Sequence, residues 1–90
     1  MAGKLAGKVA VITGGVSGIG LGAVELFVEE GARVVIGDIQ DDLGAALEAK
    51  YKNQVRYVHT DVTDDAAVGA LVREAVQCFG KLDAMYNNAG

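Results

Sequence analysis

Short, uninterrupted apolar runs alternate along the chain with longer stretches in which apolar residues return every three or four positions. Val9, Ala10, Val11 and Ile12 form the first run, the pattern of a parallel strand buried on both faces. Ile19, Ala23, Leu26 and Phe27 then recur at helical spacing. Val34 to Ile36 predicts a second buried strand, and Leu43, Ala46, Leu47 and Lys50 a shorter helix running to about Lys52, with Asn53 as its stop. Val55 to His59 reads as a third strand. Val68, Leu71, Val72, Ala75, Val76 and Phe79 follow the helical template until Gly80 ends it, and Leu82 to Tyr86 is the fourth strand. Units alternating in this way imply a parallel sheet with right-handed crossovers. The expected fold is α/β, a doubly wound sheet of four strands in order 3-2-1-4 with three helices. The first two helices share one face and the third lies alone on the other.

The first strand runs into Thr13-Gly14-Gly15-Val16-Ser17-Gly18-Ile19-Gly20. A glycine-rich turn between a buried strand and a helix is a candidate phosphate site. The unpaired N–H groups and positive dipole end of the helix attract an anion, and glycines let the backbone approach it. A nucleoside-triphosphate loop needs Gly-x-x-x-x-Gly followed by Lys; Gly15 and Gly20 have the spacing, but Leu21 follows. The dinucleotide fingerprint Gly-x-Gly-x-x-Ala occurs at Gly18, Gly20 and Ala23, and the longer spacing Gly14, Gly18, Gly20 describes the turn better. Gly18, Gly20 and Gly22 also make the Gly-x-Gly-x-Gly run of an S-adenosylmethionine-dependent methyltransferase, although deep in the predicted helix. A turn without a ligand explains any two of these glycines but not the whole run.

In a sheet of this order, ligands bind beyond the carboxyl ends of the strands. Asp38 follows the second strand, 18 residues after Gly20, near the spacing at which an acid accepts the hydroxyls of an adenosine ribose. A 2′-phosphate about 4 Å from that carboxylate would be repelled by on the order of 1 kcal/mol in water, and by more in a partly buried site. No Lys or Arg lies between Arg33 and Lys50 to offset this, so the expected cofactor is NAD rather than NADP. Taken alone, Asp38 reads as a solvated turn residue or helix cap. Asp61 and Val62 end the third strand, where Asp61 could accept from an adenine amino group and Val62 offer its amide, or either could begin the next helix. Asp64 and Asp65 are the better caps for that helix. Asn87-Asn88-Ala89-Gly90 follows the fourth strand, and the paired amides suit tying strand ends together or holding a ribose.

Composition narrows the partners. The chain has 90 residues, 51% hydrophobic and 22% charged, with a net charge of −4 and no proline, which describes one small globular unit. Without a basic cluster, nucleic acid and anionic membrane are poor partners. No apolar run has the length of a signal or membrane segment, so a cytoplasmic location is expected. Cys78, the only cysteine, falls in a helical pattern and reads as a small packed residue; His59 stands alone at a strand end, and no metal set can be drawn.

Thr13 to Gly20, Asp38, Asp61-Val62 and Asn87 to Gly90 also stand in the order and spacing of a known family's cofactor motifs. From Lys8 to Gly90 the chain resembles the amino-terminal part of a short-chain dehydrogenase/reductase, a family of oxidoreductases with a Rossmann-type sheet. The resemblance implies that Gly14, Ser17, Gly18, Ile19 and Gly20 form the pyrophosphate path. Asp38 then selects NAD, and Asp61 and Val62 bind adenine. Asn88, Ala89 and Gly90 lie along the nicotinamide-side ribose, while Thr13 and Asn87 brace the site. It further implies hydride transfer between NAD and a small-molecule alcohol or carbonyl, and a homo-oligomeric parent.

The family's Ser and Tyr-x-x-x-Lys stand after the Asn-Asn-Ala-Gly motif. None of Tyr51, Tyr57 and Tyr86 is followed at the fourth residue by lysine. Residues 1–90 are therefore expected to be the amino-terminal half of a dinucleotide-binding domain, with the catalytic and substrate-binding part absent and no catalytic residue assignable. By itself such a chain is expected to be marginally stable or to associate through the edge of its fourth strand, and to bind NAD weakly, with the Gly90 carboxylate opposing an anionic ligand. A truncated, non-catalytic NAD-binding or interaction module is the competing reading, and a methyltransferase fragment the third.

Overall fold

The computed structural model describes residues 3–14 and 18–88. The elements are β1 (Val9–Thr13), α1 (Gly18–Glu29), β2 (Arg33–Asp38), α2 (Asp41–Lys50), β3 (Val55–His59), α3 (Asp65–Phe79) and β4 (Ala84–Asn87). The strands form one parallel sheet in the order β3-β2-β1-β4. Residues of β1 alternate between its faces with the strand period of two. Ile12 joins Val34, Ile36 and Val55 beneath Val24 and Val28 of α1 and Leu47 of α2. Val9, Val11 and Val35 pack on the other face against Leu71 and Ala75 of α3. All five residues of β1 are buried, as the uninterrupted apolar run requires. No helix among the described residues is long and apolar enough to cross a membrane.

Three elements depart from the sequence pattern. In α1 the buried line is Gly20, Val24 and Val28, not the stripe of Ile19 and Leu26, which are 76% and 54% exposed. The helix is apolar nearly all round, so its pattern does not set the buried face; the close approach of Gly20 to the end of β1 does. Helix α2 ends at Lys50 and buries Gly44 and Leu47, leaving Leu43 and Ala46 exposed. Asn53 instead occupies the turn before β3 with φ +70. Strand β4 begins two residues later than the apolar run suggests. Leu82 packs into the α3-side core before the strand starts, and Asp83 is engaged with β1.

Helix α3 is specified at both ends. The Asp64 carboxylate caps the N-terminus by accepting from the Ala66 N–H at 3.0 Å. Gly80 ends it in the left-handed region at φ +85, its N–H donating to the Val76 carbonyl. Cys78 is exposed rather than packed, because the buried stripe runs through Leu71 and Ala75 and leaves that side of the last turns outside. Its thiol donates to Glu74 Oε2 at 2.9 Å, and this bond, with desolvation, raises the thiol above its ordinary pKa.

Leu71 is fully buried and anchors the only described helix on its face of the sheet. Leu71→Ala is expected to lower unfolding free energy by about 2–5 kcal/mol, measured as a shift in denaturant midpoint at unchanged slope. A second expectation concerns acid. The Val9 N–H donates to Asp83 Oδ2 at 2.8 Å, and the Asp83 N–H to the Val9 carbonyl at 2.8 Å. The backbone bond, then Lys81, holds the Asp83 carboxyl below its usual pKa. Stability gained from a lowered folded pKa is present above the unfolded value and is lost as pH falls through the folded one. Melting temperature should therefore fall below about pH 4, and Asp83→Ala should remove part of that dependence while lowering the plateau above it.

Candidate functional site

The carboxyl ends of all four strands point to one end of the sheet. At the end of β1 the chain turns through Gly14, with φ +69 and its N–H donated to the Gly37 carbonyl at 2.8 Å. Helix α1 then starts at Gly18, with φ +58. Its first turn lies directly on the strand end: a Cβ on Gly20 would sit 1.9 Å from the Gly14 carbonyl oxygen and 2.7 Å from Asn88 Nδ2. Only glycine permits that approach, which brings the first amides of the helix to the strand ends. Ile19, in the same turn, projects outward. Ser17, expected on the anion path, lies outside the described residues, as do Ala89 and Gly90.

Buried Thr13 joins β1 to the end of β4. Its hydroxyl donates to Asn87 Oδ1 at 2.8 Å and accepts the Asn88 N–H at 3.0 Å. Asn88 Nδ2 donates in turn to the Gly14 carbonyl at 3.4 Å. Both side chains of the Asn-Asn pair are thus occupied with the end of β1 and the glycine turn, and the turn and the β4 end form one unit.

Asp38, at the end of β2, is 8% exposed. Its Oδ1 accepts the N–H groups of Ile39 and Gln40 at 2.7 and 3.1 Å. Among the described residues no donor reaches Oδ2. At the end of β3, Thr60 continues the ladder by donating its N–H to the Asp38 carbonyl at 2.8 Å. Asp61 Oδ1 accepts from the Thr63 hydroxyl at 2.6 Å and the Thr63 N–H at 2.9 Å, bonds that lower its carboxyl below the ordinary range. The Asp61 carboxylate is therefore a fixed acceptor at physiological pH.

Gly14, Asp38, Ile39, Thr60, Asp61 and Val62 surround a cleft of about 390 Å³. The sequence-predicted residues thus form two adjoining groups, with Gly14, Asp38, Asp61 and Val62 on the cleft and Thr13, Gly20, Asn87 and Asn88 in the brace beside it. Ile39 and Thr60 were not singled out by pattern. Ile39 is an apolar side chain left 63% exposed at the cleft rim, and its signal is an isoleucine standing between Asp38 and polar residues where the buried run has ended. A larger hollow of about 570 Å³ lies between α2 and α3, beside Arg56 and Cys78, away from the strand ends. Arg56 and Cys78 on its wall both bond to Glu74, at 3.0 and 2.9 Å. Among the described residues no set of His, Cys, Asp and Glu converges to hold a metal ion.

Comparison with known proteins bears on this arrangement as a whole. A family model described as short chain dehydrogenase matches residues 8–90. Momilactone A synthase of Oryza sativa subsp. japonica is 60% identical over 88 residues, covering 97% of this chain and 32% of the relative. (+)-Borneol dehydrogenase 1 of Salvia officinalis is 51% identical over 87 residues, 97% of this chain and 34% of the relative. The 3-alpha-(or 20-beta)-hydroxysteroid dehydrogenase of Mycobacterium bovis is 49% identical over 90 residues, 100% of this chain and 35% of the relative. The chain spans about a third of the length of the relatives it matches. With a parallel sheet of order β3-β2-β1-β4 and a family match over nearly every residue, the chain belongs to the short chain dehydrogenase family.

Proposed function

We propose that residues 1–90 are the amino-terminal, NAD-binding part of a dehydrogenase or reductase that interconverts an alcohol and a carbonyl. The observation that carries this reading is the cleft at the strand ends, walled by a buried Asp38 whose Oδ2 is open to a ligand and lined, among the described residues, by no lysine or arginine. The lack of a Cβ at Gly20 supports the same reading, since it lets α1 pack on the Gly14 turn and brings its first amides to the strand ends. The names of two relatives, a borneol dehydrogenase and a hydroxysteroid dehydrogenase, favour alcohols as the reduced substrates.

In this reading Gly14, Ser17, Gly18, Ile19 and Gly20 carry the pyrophosphate, the amides at the start of α1 facing it. Asp38 accepts from the adenosine ribose, and its negative charge opposes a 2′-phosphate. Asp61 accepts from the adenine amino group, Val62 offers its amide, and Ile39 covers an apolar face of the ring. Asn88, Ala89 and Gly90 lie along the nicotinamide-side ribose, with Thr13 and Asn87 holding that strand end in place. NAD, when bound, supplies the hydride acceptor. No residue of this chain is assigned the proton transfer, which falls to the rest of the protein. The exposed residues of β4 favour a further strand or a second copy against that edge, and one cysteine without a disulfide framework fits a cytoplasmic location.

Calorimetric titration of the full protein carrying this chain with NAD, NADP and S-adenosylmethionine tests the reading. NAD should bind tightest, with NADP weaker by at least about tenfold, the effect of roughly 1.4 kcal/mol of repulsion. Asp38→Ala should narrow that gap, and Gly20→Ala should weaken both dinucleotides about equally. Saturable binding of S-adenosylmethionine without NAD would instead mark the glycine run as that of a methyltransferase.

A further inference from the structure

Tyr57 stands in the middle of β3, in register with Ile36 of β2, and α2 crosses its ring. Only a glycine fits at the crossing: a Cβ on Gly44 would lie 2.1, 2.2 and 2.4 Å from the ring atoms Cδ1, Cε1 and Cγ. One turn further on, Glu48 Oε2 accepts the Tyr57 N–H at 2.7 Å. Strand and helix are thereby joined beside the ring. The Tyr57 hydroxyl lies 2.8 Å from the Asp38 carbonyl oxygen and 2.5 Å from Asp41 Oδ1, with one proton shared between the two acceptors. Asp41 Oδ1 is also 2.8 Å from His59 Nδ1. Desolvation, then the hydrogen bond to Asp41, raises the phenol well above the ordinary tyrosine value, so it remains a donor.

Asp38 and Asp41 bound the turn between β2 and α2, and the two N–H groups inside it both donate to Asp38 Oδ1. Among the described residues no other side chain hydrogen-bonds to both Asp38 and Asp41. We infer that Tyr57, seated against Gly44, is a positioning residue that fixes this turn so that Asp38 Oδ2 meets a ribose 2′-hydroxyl. The inference rests on the NAD reading above and deepens it. Selection at Asp38 depends on a tyrosine that lines no part of the cleft and touches the ligand through nothing but the turn.

Tyr57→Phe keeps the ring on Gly44 and removes the hydroxyl. In the full protein carrying this chain, dissociation constants are measured by calorimetry for NAD and for its analogue with a 2′-deoxy adenosine ribose. Tyr57→Phe is expected to weaken NAD about tenfold and to leave the analogue within about twofold, the loss of roughly one hydrogen bond to a charged group. Gly44→Ala, which displaces the ring, should narrow the same ratio. Equal weakening of both ligands by Tyr57→Phe, or no change in either, overturns the inference and leaves the NAD reading standing. A wild-type protein that binds NAD and the deoxy analogue alike overturns both, because Asp38 then reads no 2′-hydroxyl.

Discussion

Helix α1 and the end of β1 approach so closely that the Gly14 carbonyl and the α1 backbone at Gly20 leave no room for a single Cβ. The geometry of the site depends on this contact. A helix held off by a side chain would carry its first amides away from the strand ends and weaken the concentration of positive potential there. It would also lose the contact with Asn88, whose side-chain amide occupies the remaining space beside Gly20 and donates to the Gly14 carbonyl. One steric constraint thus sets the helix phase, the turn and the end of β4 together. The same constraint explains why α1 buries Gly20, Val24 and Val28, a line that begins at the contact and follows it at intervals of four along one face.

On the other side of the turn the controlling quantity is charge. Asp38, Asp41 and Asp61 gather near the ends of β2 and β3, and like charges at this density repel unless each has donors. Asp38 is supplied by two backbone N–H groups, Asp61 by Thr63, and Asp41 by Tyr57 and His59. The donors to Asp41, Tyr57 first, lower its carboxyl below the usual range. These carboxylates are thus held as fixed acceptors, an arrangement suited to neutral hydroxyl and amino groups and adverse to a further phosphate.

The sheet was legible because its central strands are buried on both faces. An uninterrupted run such as Val9 to Ile12 fits little besides a covered parallel strand, and the order of the strands then places Asp38 and Asp61 at one end without any knowledge of distance. What escaped the pattern depends on contacts between distant positions. Nothing in the pattern marks Gly44, because its reason is Tyr57, 13 positions later, whose ring lies where a Cβ would be. The face of α1 is not recoverable from a helix that is apolar nearly all round. Cys78 reads as packed because its neighbours are apolar, yet the helix turns its buried stripe away from it. Leu82 extends an apolar run but fills the core from a loop, and Asp83 exchanges hydrogen bonds with Val9 before the ladder begins.

The two halves of the candidate site differ in what supports them. The side that carries Asp38 and Asp61 rests on β2 and β3, closed from one face by α2, with the Tyr57 hydroxyl on Asp38 and Asp41, so its support lies within the described residues. The side that carries Asn87 and Asn88 rests on the end of β4, whose four residues are all exposed. Its hold on the fold comes from pairing along one edge with β1, from the Asp83 exchange at its start and from the Thr13 hydroxyl at its end. A strand fixed at both ends but bare along its length keeps its register while its outer edge and faces stay open to a partner. Anything that covers β4 therefore meets first the strand that carries Asn87. Asn88 joins that strand end to the Gly14 carbonyl, and the Gly14 N–H joins the turn to the Gly37 carbonyl of β2, so both sides of the site share the glycine turn.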